Sequence, residues 1–181
     1  MISLVLGGAR SGKSEVAERL AARRGVEMSG PVAESEALVT YIATAVSATG
    51  DAELDERIAR HRARRPSTWL TVEIGAGEPL SAALAAEGVA LVESLGTWVA
   101  GHVGFDVDTD GLLAALEHRR RLQRPTVLVS EEVGLGVHPE TGLGRAFRDA
   151  LGVLNQRVGD AADDVVLVVA GRVLPLARDE R

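Results

Sequence analysis

Gly7-Gly8-Ala9-Arg10-Ser11-Gly12-Lys13-Ser14 has the residue types of a backbone cradle for phosphate. Glycines at 7, 8 and 12 permit turns closed to other residues, so successive N–H groups can converge on anionic oxygens. The octapeptide matches GxxxxGK[ST], follows the apolar run Ile2 to Leu6 and precedes a helical pattern, which is the context in which that spacing binds a nucleotide. The loop feeds a helix N-terminus, whose free N–H groups and dipole also favour an anion. Lys13 is expected to reach the β and γ phosphates, and the Ser14 hydroxyl to ligate Mg²⁺. Arg10 adds a cation inside the loop, suited to a fork-shaped contact with a phosphate or an acid.

Other residues able to do chemistry stand at the ends of apolar runs. Val89 to Val92 ends in Glu93, the pattern of a Walker B acid, though four apolar residues and an acid are a common string. Thr126 to Ser130 is followed by Glu131 and Glu132, which could hold Mg²⁺ through water or position a substrate hydroxyl, or be plain loop acids. Thr44, at the end of Leu38 to Ala43, either touches a nucleotide or simply ends a strand. His61 falls at i+7 from Leu54 and i+3 from Ile58, on the inward stripe of a helix, with Arg60, Arg62, Arg64 and Arg65 around it. A histidine so placed is either a satisfied core residue or a nucleophile. The guanidinium groups would depress its pKa and favour the neutral ring that nucleophilic attack requires. His102, His118 and His138 read as structural or peripheral.

The elements that must position these groups alternate. Strands are expected at Ile2 to Leu6, Leu38 to Ala43, Trp69 to Ile74 (at an edge), Val89 to Val92, Thr126 to Ser130 and Val165 to Val169, with Gly171 to Leu176 pairing beside the last. Helices are expected at Lys13 to Arg24, Asp51 to Arg64, Pro79 to Glu87, Asp110 to Arg124 and Leu143 to Ala162. Gly25 to Glu36 reads as a surface excursion, Ser94 to Gly104 as a loop into a short helix or lid, and Arg119, Arg120 and Arg121 as a solvated helix end. Alternating strands and helices give an α/β fold with a mostly parallel central sheet covered on both faces, a three-layer sandwich.

Composition narrows the partners. The 181 residues suit one domain, 1–181, long enough to bury about 70% of its unfolded surface. Cys 0 excludes disulfides and thiolate chemistry and fits a cytoplasmic protein. The net charge of -6 and 3% aromatic residues argue against nucleic acid, and no apolar run is long enough for a membrane span. No internal repeat or dividing linker is visible.

Together with the phosphate loop, Tyr41-Ile42-Ala43-Thr44-Ala45, Arg57-Ile58-Ala59-Arg60-His61-Arg62, Leu91-Val92-Glu93, Glu132-Val133-Gly134-Leu135-Gly136-Val137-His138-Pro139 and Phe147-Arg148-Asp149 resemble one family in order and over nearly the whole chain. It is the bifunctional adenosylcobinamide kinase and adenosylcobinamide-phosphate guanylyltransferase family of cobalamin biosynthesis. The resemblance implies a P-loop NTPase of RecA-like fold, a homotrimer, and two reactions. A nucleoside triphosphate, ATP or GTP, phosphorylates adenosylcobinamide; GTP then gives GMP to adenosylcobinamide phosphate through a guanylylated histidine. It implies His61 as that histidine. It implies nucleotide contacts at Gly7, Gly8, Ala9, Arg10, Ser11, Gly12, Lys13 and Ser14, at Ala43, Thr44 and Ala45, at Arg62, Ala63, Arg64 and Arg65, and at Glu73 and Glu93. Gly25 to Glu36 is longer than the family's usual connection, and Ser47 to Gly50 differs from its compact acidic turn. The residues alone leave two rivals: another P-loop small-molecule kinase in which His61 is structural, and a nucleotide-binding subunit without turnover. Glu131 or Glu132 is the candidate base for the alcohol.

Overall fold

The computed structural model describes residues 1–29, 39–44 and 52–178. Seven strands form one sheet in the order β3-β2-β4-β5-β1-β6-β7, namely β1 (Ile2–Gly7), β2 (Val39–Ala43), β3 (Leu70–Glu73), β4 (Val89–Glu93), β5 (Thr126–Glu131), β6 (Asp164–Val169) and β7 (Arg172–Pro175). All neighbours are parallel except β7, which returns antiparallel along β6. The central strands are buried nearly end to end and mostly apolar because both faces are covered. One face packs on α1 (Lys13–Ser29) through Ala17 and Ala21. The other packs on α3 (Leu95–Ala100), α4 (Thr109–Arg121) and α5 (Gly142–Ala161) through Leu95, Trp98, Leu116, Leu151 and Leu154. The expected three layers are therefore present, and β3 is the expected edge strand.

Register decides where the chemistry gathers. Gly7 pairs with Glu131, and Ala43 pairs with both Glu73 and Glu93. Parallel strands thus bring the start of the phosphate loop and three carboxylates to one edge of the sheet, the edge at which open α/β sheets bind ligands.

Three expectations fail, each for a physical reason. Helix α1 does not stop at Arg24 but runs through a buried Gly25 to Ser29, so the surface excursion does not begin where glycine suggested; the rest of it, residues 30–36, lies outside the described residues, as do Ala45 and Ser47 to Gly50. Pro79 to Glu87 forms only a single 3-10 turn, Ala83–Ala85. Arg119, expected in solvent, is 1% exposed. Its Nε donates to Thr126 Oγ1 at 2.7 Å, Nη1 to the carbonyls of Leu84 and Ala86 at 2.9 and 2.6 Å, and Nη2 to those of Gly88 and Pro125 at 2.7 and 3.0 Å. The guanidinium satisfies carbonyls left open at the end of that short turn, and it ties the entries of β4 and β5 together. Ser94 to Gly104 yields the short helix α3, built into the core and not a lid.

Candidate nucleotide and nucleotidyl-transfer site

The loop between β1 and α1 is shaped as its sequence requires. Gly12 has φ 90°, in the region that favours glycine, and Arg10 at 56° shares that left-handed conformation. A side chain on Gly7 would meet Ser11 Oγ at 2.4 Å and the Val168 carbonyl at 2.9 Å. The loop is closed from outside by the turn between β6 and β7, where Gly171 N–H donates to the Ser11 carbonyl at 2.8 Å. Lys13 is folded in, donating to the Gly8 carbonyl at 3.4 Å and facing Glu131 Oε1 at 3.6 Å. The Ser14 hydroxyl donates to Glu93 Oε1 at 2.7 Å, while Glu93 Oε2 is buried without a partner.

That pair is a test of fit for Mg²⁺. The ion takes oxygen ligands, keeps several waters, and is held by one or two protein groups plus substrate phosphates. A hydroxyl and a carboxylate with an uncommitted buried oxygen satisfy this. Among the described residues no group of three or more His, Cys, Asp or Glu forms a cage.

Burial pushes the Glu93 carboxyl up to about 7; Glu131 adds to the shift, while the Ser14 hydrogen bond and Lys13 oppose it. A folded-state pKa above the ordinary 4.5 stabilises the nucleotide-free fold fully below pH 4.5, and that contribution is lost as pH rises through about 7. The thermal midpoint is therefore expected to fall across this window in the wild type and to fall less in Glu93→Gln. Calorimetry over a pH series measures both slopes, and equal slopes would refute the assignment.

Next to Glu93, Ser94 organises the strand ends. Its hydroxyl donates to Glu131 at 3.0 Å and its N–H to the Thr44 hydroxyl at 2.8 Å; Thr44 donates in turn to the Ser94 carbonyl at 2.7 Å. Thr44 is thus buried and its hydroxyl engaged within the protein. Gly96 lies against Glu131 with no room for a side chain, a Cβ falling 1.9 Å from Oε2. Glu132 instead turns to its own loop, accepting from Gly134 N–H at 2.7 Å.

Helix α2 (Ala52–Arg64) brings the histidine. Ile58 is buried and His61 partly so, as the inward stripe predicts; the Leu54 side chain lies outside the described set. The helix end is anchored on α1, where Arg64 Nη1 meets Glu15 at 3.3 Å and Nη2 meets Glu18 at 3.1 Å. Arg64 Nη2 also lies 3.4 Å from His61 Nδ1. A guanidinium only donates, so this contact exists only while Nδ1 lacks a proton. Arg62 pairs with Glu73, and the Arg65 guanidinium stacks 3.6 Å above the Tyr41 ring. A cleft is lined by His61, Arg62, Arg65, Glu73, Glu93 and Ala43, with Tyr41, Ile58, Ser94 and Thr97.

The loop with Lys13 and Ser14 and the cleft with His61, Arg62, Arg65, Glu73 and Ala43 are joined at Glu93, while Thr44 and Arg64 lie outside the cleft lining. Ala63 is exposed on α2 outside the cleft lining. His102 and His138 have local partners, the Trp98 carbonyl and Arg148, both at 2.8 Å. Sequence reasoning missed Ser94 and Thr97, although Ser94-x-x-Thr97 is close to a capping box, and missed Tyr41, which in a strand reads as core.

A family model described as cobinamide kinase / cobinamide phosphate guanyltransferase matches residues 3–176. The bifunctional adenosylcobalamin biosynthesis protein CobP of Pseudomonas aeruginosa is 40% identical over 188 residues, covering 97% of this chain and 97% of its own. The protein of the same description named CobU from Escherichia coli is 38% identical over 192 residues, covering 94% and 97%. Among solved structures, the flagellar accessory protein FlaH of Methanocaldococcus jannaschii superposes with a TM-score of 0.51 at 14% identity, over 95% of this chain and 74% of that one. At that identity the likeness is one of fold alone. The sequence likeness to CobP and CobU, which runs through almost the whole of both chains, goes further: this chain belongs to the cobinamide kinase / cobinamide phosphate guanyltransferase family.

Proposed function

We propose that this chain, as one catalytic domain over 1–181, phosphorylates adenosylcobinamide and then transfers GMP from GTP to adenosylcobinamide phosphate, with ATP or GTP serving the first step. The observation that carries the reading is the junction at Glu93: its carboxylate accepts from Ser14 of the phosphate loop and lines the cleft that holds His61. In the kinase step the acceptor oxygen attacks the γ-phosphorus, the bond from that phosphorus to the β–γ bridging oxygen breaks, and the nucleoside diphosphate leaves. The hydroxyl proton passes to a carboxylate at the end of β5. Glu131 is better placed than Glu132 because it faces Lys13, the partner of the γ-phosphate.

In the second reaction an unprotonated His61 nitrogen attacks the α-phosphorus of GTP and pyrophosphate departs. The phosphate of adenosylcobinamide phosphate then attacks the same phosphorus, the nitrogen–phosphorus bond breaks, and the histidine is restored. Arg62, Arg64 and Arg65 offset charge developing on the phosphates. The backbone from Gly7 to Ser14 holds the triphosphate, with Arg10 at its rim, while Ala43, Thr44, Ala45 and Glu73 form the adjoining contacts. Mg²⁺, held by Ser14 and Glu93, supplies charge neutralisation on the phosphates when bound.

A cytoplasmic homotrimer is part of the same reading. Among the described residues no helix is long and apolar enough to cross a membrane, and exposed Leu135, Val137 and Leu143 support self-association, which sedimentation equilibrium would read. The direct test of function is incubation with α-labelled GTP and Mg²⁺. An acid-labile, base-stable label on the protein, discharged by adenosylcobinamide phosphate, is the expected result; absence of label would favour a P-loop kinase without a nucleotidyl step.

A further inference from the structure

Among the described residues, three buried polar atoms beside the cleft have no hydrogen-bond partner: the Tyr41 hydroxyl, Arg65 Nε and Glu93 Oε2. Buried polar groups are normally paired, and an unpaired one in a cleft calls for a ligand or a catalytic role. Glu93 is accounted for by its bond to Ser14 and the ion it would share. Tyr41 is not. It is wholly buried on β2, its ring packed among the apolar residues facing α1 and covered by the Arg65 guanidinium.

The position of that hydroxyl is specific. Glu93, whose charge reaches Tyr41, is bonded to the phosphate loop through Ser14; Arg65, which covers the ring, follows directly on the helix end that carries His61. Tyr41 thus lines the same cleft as His61 and as Glu93, the residue bonded to the triphosphate cradle. Burial, with Glu93 second, raises its pKa despite the opposing effect of Arg65, so the phenol keeps its proton and remains a donor at any working pH.

We propose that Tyr41 is a further catalytic residue of the nucleotidyl transfer, its hydroxyl donating a hydrogen bond to a nonbridging oxygen of the α-phosphate while His61 attacks. This rests on the guanylyl-histidine reading above. The nitrogen–phosphorus bond forms as the bond from phosphorus to pyrophosphate breaks, with its electron pair leaving on pyrophosphate, and Tyr41 retains its proton throughout. A fixed donor aimed at charge that grows in the transition state acts on the rate more than on ground-state binding.

Tyr41→Phe is the test, with the protein otherwise intact. Labelling from α-labelled GTP and Mg²⁺ is expected to slow about 100-fold. The GTP concentration giving half-maximal rate should stay unchanged, as should affinity for a non-reacting GTP analogue. The thermal midpoint should hold or rise, because the lost hydroxyl has no protein partner. A Phe variant labelled at the wild-type rate overturns the role of Tyr41 alone. So does a slowing explained wholly by weaker analogue binding or a lower midpoint. A wild type that takes no label overturns the guanylyl-histidine reading and this role with it.

Discussion

His61→Asn is expected to take no label from α-labelled GTP, a loss on the order of 10⁶-fold that leaves only background. Asparagine keeps a polar group near the ring's first atoms but offers no nucleophilic nitrogen, so the covalent step has no substitute. Adenosylcobinamide phosphate should accumulate, because the kinase step draws on Lys13, Ser14 and the strand-end acids and not on the imidazole. The fold should be spared: the helix end is anchored by Arg64 on Glu15 and Glu18, and the change falls at a partly exposed position, where effects stay within about 0.5 kcal/mol. Intact-mass and radiolabel measurements read the covalent step, and product analysis from cobinamide with ATP reads the kinase step. A variant that labels as the wild type does would remove His61 from the mechanism; loss of both reactions would mean that the ring also shapes the kinase pocket.

Arg119→Met is expected to produce the largest stability loss, on the order of 4 kcal/mol, read by urea unfolding. Five hydrogen bonds from one buried guanidinium would vanish, leaving four backbone carbonyls short of a donor. Burial, and then the nearby Arg124, lower its pKa to about 10, so the group is still charged at neutral pH and depends on those carbonyl dipoles in place of a counter-ion. Arg119→Lys should recover only part of the loss, since an ammonium has three donors and cannot span the same carbonyls. Surviving folded protein should turn over normally, because Arg119 joins the entries of β4 and β5, at the sheet edge opposite Glu93. A loss no greater than that of an exposed arginine would refute this role.

The contrast between these two residues shows what could be read from the chain. The strands were legible because parallel strands buried on both faces leave unbroken apolar runs, and the phosphate loop because backbone geometry imposes its glycine spacing. His61 was legible as inward-facing from helical periodicity. Arg119 obeys the same periodicity, lying seven residues after Leu112 and three after Leu116 on the buried stripe of α4, yet its charge and its arginine neighbours suggested solvent. Charge overrode position, and position was right. The short turn at Ala83–Ala85 could not be read locally, because the carbonyls around its end are bonded by a side chain far along the sequence. Tyr41 was hidden for a related reason: a tyrosine in a strand and a tyrosine serving a cleft look alike until it is known whether the hydroxyl has a partner.

The hydrogen bond from Gly171 to Ser11 has a consequence for how the protein becomes active during synthesis. A ribosome delivers the glycine-rich loop well before the hairpin that props its outer wall. Until then the nascent polypeptide has the loop's sequence without its shape, so firm grip on a nucleotide is deferred until the β-hairpin has docked.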